Sequence, residues 1–236
     1  MIKLKQIITH LTLATVVFTS ACSVKKANLP KDNLYHTDFS VGKDGWQAGF
    51  ADYTFENKEI FELQESIEQL PSPLDESKKA YMISGMNRSD DLFMYLKKEF
   101  KNLKANTSYK ITLNLSMASD AMSGGFGVGG APGESIGLGL GATTLEPKAV
   151  KQDNYYRMNI NKINQCCTDG QDMIVIGNVA NGKQEYTFNM IERYGEFSAK
   201  TDASGKLWVI IGTDSGYEGK TTLYYSDIKI EFSEVI

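Results

Sequence analysis

Alternation of apolar and polar residues is the dominant pattern along this chain. It is clearest in residues 109–117, where Ile111, Leu113 and Leu115 are separated by polar residues. A period of two places the apolar side chains on one face, as in an antiparallel strand that is buried on one side. The same pattern returns in residues 222–232, so strands are predicted in the middle and at the end of the chain.

Short runs rich in aromatic or β-branched residues, bounded by Gly, Asp, Asn, Ser or Pro, predict further strands. These runs are residues 34–41, 46–55, 60–63, 80–84, 92–96, 136–140, 156–160, 173–179, 185–191 and 207–211. No segment predicts a long capped amphipathic helix, and residues 60–70 come nearest to one. Many short strands separated by Gly- and Asp-rich turns predict an all-β fold, an antiparallel β-sandwich of jelly-roll type that forms one domain over residues 33–236.

The beginning of the chain follows a different pattern. Two lysines precede the apolar run 7–18, and Thr19-Ser20-Ala21 leads into Cys22. This arrangement resembles the lipobox of bacterial lipoproteins, in which the cysteine receives a lipid on its sulfur and the leader is removed. The apolar run is shorter than the roughly 20 residues that a membrane-spanning helix needs.

The lipobox resemblance implies a signal peptide over residues 1–21. Cys22 would then carry the lipid, palmitate included, and residues 22–32 would form a flexible tether, because they are polar and contain Pro30. The expected location is extracytoplasmic, with the protein anchored to the membrane through Cys22. In a Gram-negative cell, Ser23 after the cysteine indicates the outer membrane.

Charge and motifs exclude two classes of partner. The formal net charge is −4, and removal of the leader would take two more lysines, so the chain has no basic surface suited to nucleic acid. Residues 125–130 satisfy the pattern GxGxxG, but Ala131-Pro132-Gly133 follows where a nucleotide site needs a helix. We therefore expect no nucleotide, and interpret the Gly-rich run 124–141 as an irregular loop leading into a strand. Alternatively, its glycines let the backbone approach a ligand closely.

The only cysteines after Cys22 are the adjacent pair Cys166 and Cys167. Neighbouring cysteines either form a disulfide with each other or remain two thiols. A redox or metal switch is the functional hypothesis. The sequence favours a plain surface turn, because Thr168-Asp169-Gly170 follows directly.

Both ends of the predicted domain resemble a known superfamily. The segments Asp38-Phe39-Ser40 and Asp44-Gly45-Trp46, together with residues 223–230, look like the first and last strands of galactose-binding-like and carbohydrate-binding-module jelly rolls. This resemblance implies a structural calcium ion between those strands, with Asp38 and Asp227 as ligands. Residues 87–96 and 212–225 also resemble an uncharacterised bacterial lipoprotein family.

Candidate ligand-binding residues are aromatic and acidic side chains in or beside predicted loops. Sugar binding uses aromatic rings for stacking and nearby polar groups for the hydroxyls. The candidates are Tyr155, Tyr156, Tyr217, Glu218, Asp90 and Asp91. The two aspartates precede an apolar strand and would need a cation such as Arg88.

Two functions follow from these features. The favoured one is a non-catalytic, lipid-anchored binding protein whose ligand is an extracellular carbohydrate. The alternative is a polysaccharide hydrolase or lyase that uses paired carboxylates, a mechanism that requires no histidine. A scarcity of histidine and the lack of a compact catalytic motif favour the binding protein.

The lipidation hypothesis makes a direct prediction. Cells fed a palmitate analogue should label the wild-type protein, and Cys22→Ala should abolish both the label and membrane fractionation, because several buried acyl chains make attachment nearly permanent. Gel fluorescence and membrane fractionation measure the two effects. An unlabelled wild type that fractionates like the variant would contradict the hypothesis.

Overall fold

Two antiparallel β-sheets packed face to face form the body of the protein. The computed structural model describes residues 33–235, so the predicted signal peptide, Cys22 and the tether lie outside the described residues. No helix within residues 33–235 is long and apolar enough to cross a membrane. The strands are β1 (Leu34–Asp38), β2 (Gln47–Ala51), β3 (Tyr53–Thr54), β4 (Gln64–Gln69), β5 (Lys79–Met86), β6 (Leu92–Phe100), β7 (Ser108–Ser119), β8 (Ile136–Thr143), β9 (Ala149–Gln152), β10 (Tyr155–Met158), β11 (Met173–Asn178), β12 (Asn189–Lys200), β13 (Leu207–Ser215) and β14 (Lys220–Glu234).

Strand order confirms the predicted β-sandwich. The first sheet runs β12-β7-β14-β5-β4, with β1 also paired to β14, and the second runs β11-β8-β13-β6-β2. From β5 to β8 and again from β11 to β14, consecutive strands alternate between the sheets, as in a jelly roll. A small third sheet has the order β3-β10-β9.

The main core lies between the two large sheets. Alternate residues of β7 and β14 point into it, among them Ile111, Leu113, Ile228 and Ile230, all of which are buried. Burial of apolar surface from both sheets supplies the main driving force for this arrangement. The apolar positions of the sequence pattern therefore face the core, and the polar positions between them face solvent.

The turn after β1 inserts a large aromatic residue into this core. Asp44 and Gly45 both adopt positive φ, and the chain then carries Trp46 inward until it is almost fully buried. Its indole N–H donates to Thr37 Oγ1 at 3.1 Å, and the Thr37 hydroxyl donates to Asp44 Oδ2 at 2.6 Å. The polar end of the indole is thus satisfied inside the protein.

The second sheet is covered on its outer face by the chain itself. Residues 159–172, here called the covering segment, lie over β8, and the small sheet lies beside them. Together with β6 and β13 they enclose a second apolar cluster that includes Phe93, Tyr95, Ile163 and Ile210. The disulfide between Cys166 and Cys167 lies within the covering segment.

Glycines in β8 permit this close cover. Gly137, Gly139 and Gly141 alternate with core residues, so they face outward. A Cβ atom on Gly137 would lie 2.1 Å from the carbonyl oxygen of Gln165, and one on Gly141 would lie 2.1 Å from that of Asp172. The end of the Gly-rich run thus forms a strand, and the backbone that approaches its glycines belongs to the protein itself.

The prediction for residues 60–63 was wrong. A 3₁₀ helix occupies Lys58–Phe61, and the strand β4 follows it at Gln64–Gln69, where the sequence came nearest to a helix. Asn57 and Glu62, which flank the 3₁₀ turn, both adopt left-handed backbone conformations. β4 is an edge strand with few buried residues, so its apolar signal is weak.

We predict that Gly137→Ala destabilises the protein. The added methyl group meets backbone rather than a mobile side chain, and such overpacking costs about 1–3 kcal/mol in the free energy of unfolding. Urea unfolding measures the loss. Gly216→Ala is the control, because its Cβ first meets the side chain of Gln165 at 3.3 Å. Equal losses in the two variants would contradict this account of the covering segment.

Candidate ligand-binding site

Four of the six predicted ligand-binding residues lie in two connected turns at one end of the sandwich, whereas Tyr155 and Tyr156 belong to β10. Asp90 and Asp91 lie in the turn before β6, and Tyr217 and Glu218 lie in the turn between β13 and β14. Two amides connect this region: Asn87 Nδ2 donates to the carbonyl oxygen of Tyr217 at 3.0 Å, and Gln165 Nε2 donates to that of Asp90 at 2.9 Å.

The three predicted tyrosines are half-buried rather than freely exposed. The ring of Tyr155 lies 4.2 Å from the Arg157 guanidinium carbon, and the ring of Tyr156 packs 5.1 Å from that of Tyr53. Tyr217 lies against Gly127 and Gly219, where a Cβ atom would collide with its ring. These three rings already have partners within the protein. Their role in ligand binding stays a prediction.

A cluster of charged side chains lies beside these residues, under the covering segment. Lys162 Nζ is 2.5 Å from Asp214 Oδ2, 3.1 Å from Asp52 Oδ2 and 3.8 Å from Asp91 Oδ1. Arg157 Nη1 donates to Asp52 Oδ1 at 2.9 Å and to Asp91 Oδ2 at 3.2 Å. The cation that Asp91 requires is therefore supplied by Arg157 and Lys162, and not by Arg88 as the sequence suggested.

Burial controls the ionisation of this cluster. Removal from water raises the pKa of Asp214 to about 7, against the opposing effect of Lys162, and also raises the pKa of Asp91. For Lys162, burial favours the neutral form, but the three surrounding carboxylates outweigh it and raise the pKa. Three carboxyl groups thus face two cations, and burial favours the neutral form of both Asp214 and Asp91.

The predicted calcium ligands are neighbours in the first sheet. Asp38 and Asp227 are paired across β1 and β14. However, Asp227 interacts with His36 and, at 3.6 Å, with Lys229, and Asp38 Oδ1 accepts from the Ser40 N–H. Residues 33–235 contain no group of three or more His, Cys, Asp or Glu side chains arranged around a metal position. Calcium takes six to eight oxygen ligands, some of which carbonyl groups and water can supply, so a calcium ion at Asp38 and Asp227 stays a prediction.

The same carboxylates line a groove on the outer face of the first sheet. The hairpin loop between β4 and β5 borders it on one side and β12 on the other, and its volume is about 550 Å³. Its polar lining comprises Asp38, Ser40, Asp75, Lys78, Lys79, Ser116, Glu192, Ser226, Asp227 and Lys229. Leu70, Leu74 and Met190 supply an apolar part, so the groove has the mixed character of a small-ligand site.

Rows of side chains cross the sheet along this groove. One row runs from Glu192 through Ser116 and Asp227 to Asp38, and the next joins Tyr194 to Asn114 and Lys229. Neighbouring strands are about 4.8 Å apart, so a row over four strands spans about 14 Å. Tyr194 is 55% exposed and its hydroxyl hydrogen-bonds Glu196. An extended ligand lying across the strands would meet one side chain from each.

Sequence reasoning missed Tyr194 because β12 does not alternate cleanly. Its inward positions include Arg193 and Gly195, and these interrupt the apolar pattern. A Cβ atom on Gly195 would lie 2.4 Å from Ile176 Cγ2, so close packing against β11 requires glycine there. The spacing of two between residues 192, 194 and 196 was the signal from which an outward-facing Tyr194 could have been predicted.

Comparison with known proteins gives structural neighbours only. No family model matches the chain, and no curated protein matches it. Among solved structures, TmCBM61 in complex with β-1,4-galactotriose aligns at 8% identity, TM-score 0.36, over 81% of this chain and 92% of that one. A non-crystalline cellulose specific carbohydrate-binding module, CBM28, aligns at 10% identity, TM-score 0.39, over 84% and 92%.

Another neighbour is much longer than this chain. The enzymatically active domain of bacteriophage CBA120 tailspike protein 4 aligns at 8% identity, TM-score 0.35, over 84% of this chain but 20% of its own length. These likenesses are too distant to carry a ligand or an activity over to this chain.

We predict that Arg157→Met lowers the free energy of unfolding by about 2 kcal/mol, because it leaves the buried carboxylate of Asp52 with one cation fewer. The expected loss of stability is smaller than for a fully enclosed ion pair, since Arg157 is partly exposed. Chemical unfolding measures the change in the free energy of unfolding. Lys220→Met removes the exposed pair with Glu62 and should change stability little. Similar effects from both variants would mean that the buried cluster does not hold the covering segment.

Proposed function

We propose that this chain is an extracytoplasmic, lipid-anchored binding protein that holds a glycan of low charge in the groove of the first sheet. The observation that carries the proposal is the contrast between the two large sheets. The second sheet has its outer face covered by residues 149–172, whereas the first presents rows of polar side chains and a groove of about 550 Å³.

The groove offers both kinds of hydrogen-bonding partner that a sugar needs. Carboxylates such as Asp227 and Glu192 accept hydrogen bonds from hydroxyl groups, and Lys229 donates to ring and hydroxyl oxygens. Tyr194 adds an exposed ring for stacking at the side of the groove. Acidic and basic residues occur there in nearly equal numbers, so the surface favours a neutral polyhydroxyl ligand over a polyanion.

The position of β1 is compatible with the proposed anchor. Leu34 pairs with Glu231, and Asp38, at the other end of the strand, lies in the groove. A tether over residues 22–32 would reach at most about 40 Å when fully extended. A lipid on Cys22 would thus leave the groove near the membrane but clear of it.

The hydrolase alternative receives no support from the paired carboxylates. Asp91 is engaged by Arg157 and Lys162, whereas Asp90 is exposed in a left-handed turn with φ of 59°. A glycosidase pair must face a common cleft across the scissile bond. We therefore propose a binding protein without catalytic activity.

Tyr194→Ala should weaken glycan binding at least about tenfold in Kd, because it removes the stacking surface beside the groove. A glycan array identifies the ligand, and isothermal titration with the strongest hit gives the affinities of wild type and variant. Tyr186→Ala is the matched control, since Tyr186 is 60% exposed but, unlike Tyr194, belongs to neither of the cross-strand rows along the groove.

Three outcomes would contradict the proposal. One is equal weakening by both substitutions, and another is an array without binding to any glycan. The third is the release of reducing ends from a bound polysaccharide, which would reveal an enzyme.

A further inference from the structure

Lys162 and Asp214 form the most closely placed enclosed ion pair of the described chain. Their side chains are 13% and 0% exposed, and Lys162 Nζ lies 2.5 Å from Asp214 Oδ2. Lys162 belongs to the covering segment and Asp214 to the central strand β13, 52 residues apart in sequence. The proposed glycan site has no use for this pair.

A third carboxyl group lies beside the pair. Asp91 Oδ1 is 3.8 Å from Lys162 Nζ, and the Asp91 side chain is within hydrogen-bonding range of Asp214. Both Asp91 Oδ1 and Asp214 Oδ1 are buried and lack a hydrogen-bond donor among the described residues. A proton held between the two carboxyl groups would satisfy both oxygens.

The surroundings of Lys162 and Asp214 suit a reaction between them. The ring of Phe93, a member of the second apolar cluster, lies 5.0 Å from Lys162 Nζ, and the Asp214 side chain is fully buried. The backbone N–H of Gln165 donates to Asp214 Oδ2 at 2.9 Å, so a donor already faces the oxygen on which negative charge would develop during attack. Exclusion of water disfavours hydrolysis of the product.

We propose that Lys162 and Asp214 condense into an intramolecular amide, an isopeptide bond that fixes the covering segment to β13. The Lys162 ammonium gives one proton to the Asp91 carboxylate, and the free amine attacks Cγ of the protonated Asp214 carboxyl group. The protonated Asp91 then donates its proton to the departing hydroxyl group and takes one from the nitrogen, so it ends as the neutral acid. A C–N bond forms, a C–O bond breaks, and one water molecule leaves without any oxidant or co-reactant.

Charge is balanced before and after this step. Before it, Asp52 and Asp91 carry negative charge, Lys162 and Arg157 carry positive charge, and Asp214 is neutral. Afterwards only Asp52 and Arg157 are charged, and they remain paired at 2.9 Å. The reaction therefore removes two buried charges without leaving one unpaired.

Peptide mapping tests the proposal on the purified full chain. After reduction and alkylation, trypsin should not cleave at an acylated Lys162, so residues 158–183 should appear joined to residues 207–220. The joined species should be lighter than the sum of the two peptides by one water. Recovery of separate peptides, with normal cleavage after Lys162, would overturn the proposal.

The chain contains a matched internal control. Lys97 Nζ is 2.6 Å from Glu146 Oε1 and its side chain is 9% exposed, but Glu146 is 45% exposed. We expect normal cleavage after Lys97 in the same digest. Cross-linking at both lysines would indicate a chemical artefact and would overturn a specific role for the cluster.

Two variants separate the reaction from folding. Lys162→Arg keeps the positive charge but should give only separate peptides, and Asp91→Asn keeps the shape but should leave the bond unformed. Circular dichroism confirms that each variant folds. A cross-link that persists in Asp91→Asn would overturn the role given to Asp91.

Discussion

Direct packing of one backbone segment on another determines much of this structure. The covering segment lies on the glycine positions of β8, and the carbonyl oxygens of Gln165 and Asp172 occupy the space that side chains would take. Because the covering segment lies so close to β8, the side chain of Lys162 reaches β13 and contacts Asp214. The second apolar core and the enclosed charged cluster both depend on this contact.

The contact also makes the two sheets unequal. A β-sandwich normally exposes both outer faces, each with polar side chains at every second position. Here the second sheet has apolar residues or glycines at many outward positions, and the protein covers them itself. The first sheet keeps Ser, Asn, Asp, Glu and Lys at its outward positions along the rows that include Tyr194, and a small apolar cluster with Ala80 and Ala118 covers another part of this face. The surface available to a ligand is therefore largely the surface that the chain does not use for its own packing.

The sequence predicted the strands whose two faces differ in polarity. Residues 109–117 lie within β7, where core and solvent positions alternate. Residues 222–232 lie within β14, where a register shift between Tyr225 and Asp227 interrupts the alternation once. The 3₁₀ turn and β4 were misread, because β4 combines few apolar residues with an edge position. Pattern reasoning detects burial, so it finds central strands more readily than edge strands.

The site was less accessible to sequence reasoning. The predicted partners of Asp91 were near it in sequence, whereas its actual partners Arg157 and Lys162 follow about 70 residues later, which only the tertiary fold determines. Asp38 and Asp227 were named as a pair, and the register of β1 against β14 does bring them together. Their surroundings, with His36 and Lys229, were not evident from the two short motifs.

The pairing of β1 with β14 would have a mechanical consequence in the proposed lipid-anchored binding protein. β1 contains five residues, and its hydrogen bonds to β14 attach it to the first sheet. If a surface-bound polymer were pulled while the amino-terminal end stayed fixed, tension would pass from the groove through β14 into this short ladder. The five-residue ladder, and not the long interior strands, would then determine how much load the protein bears before it opens.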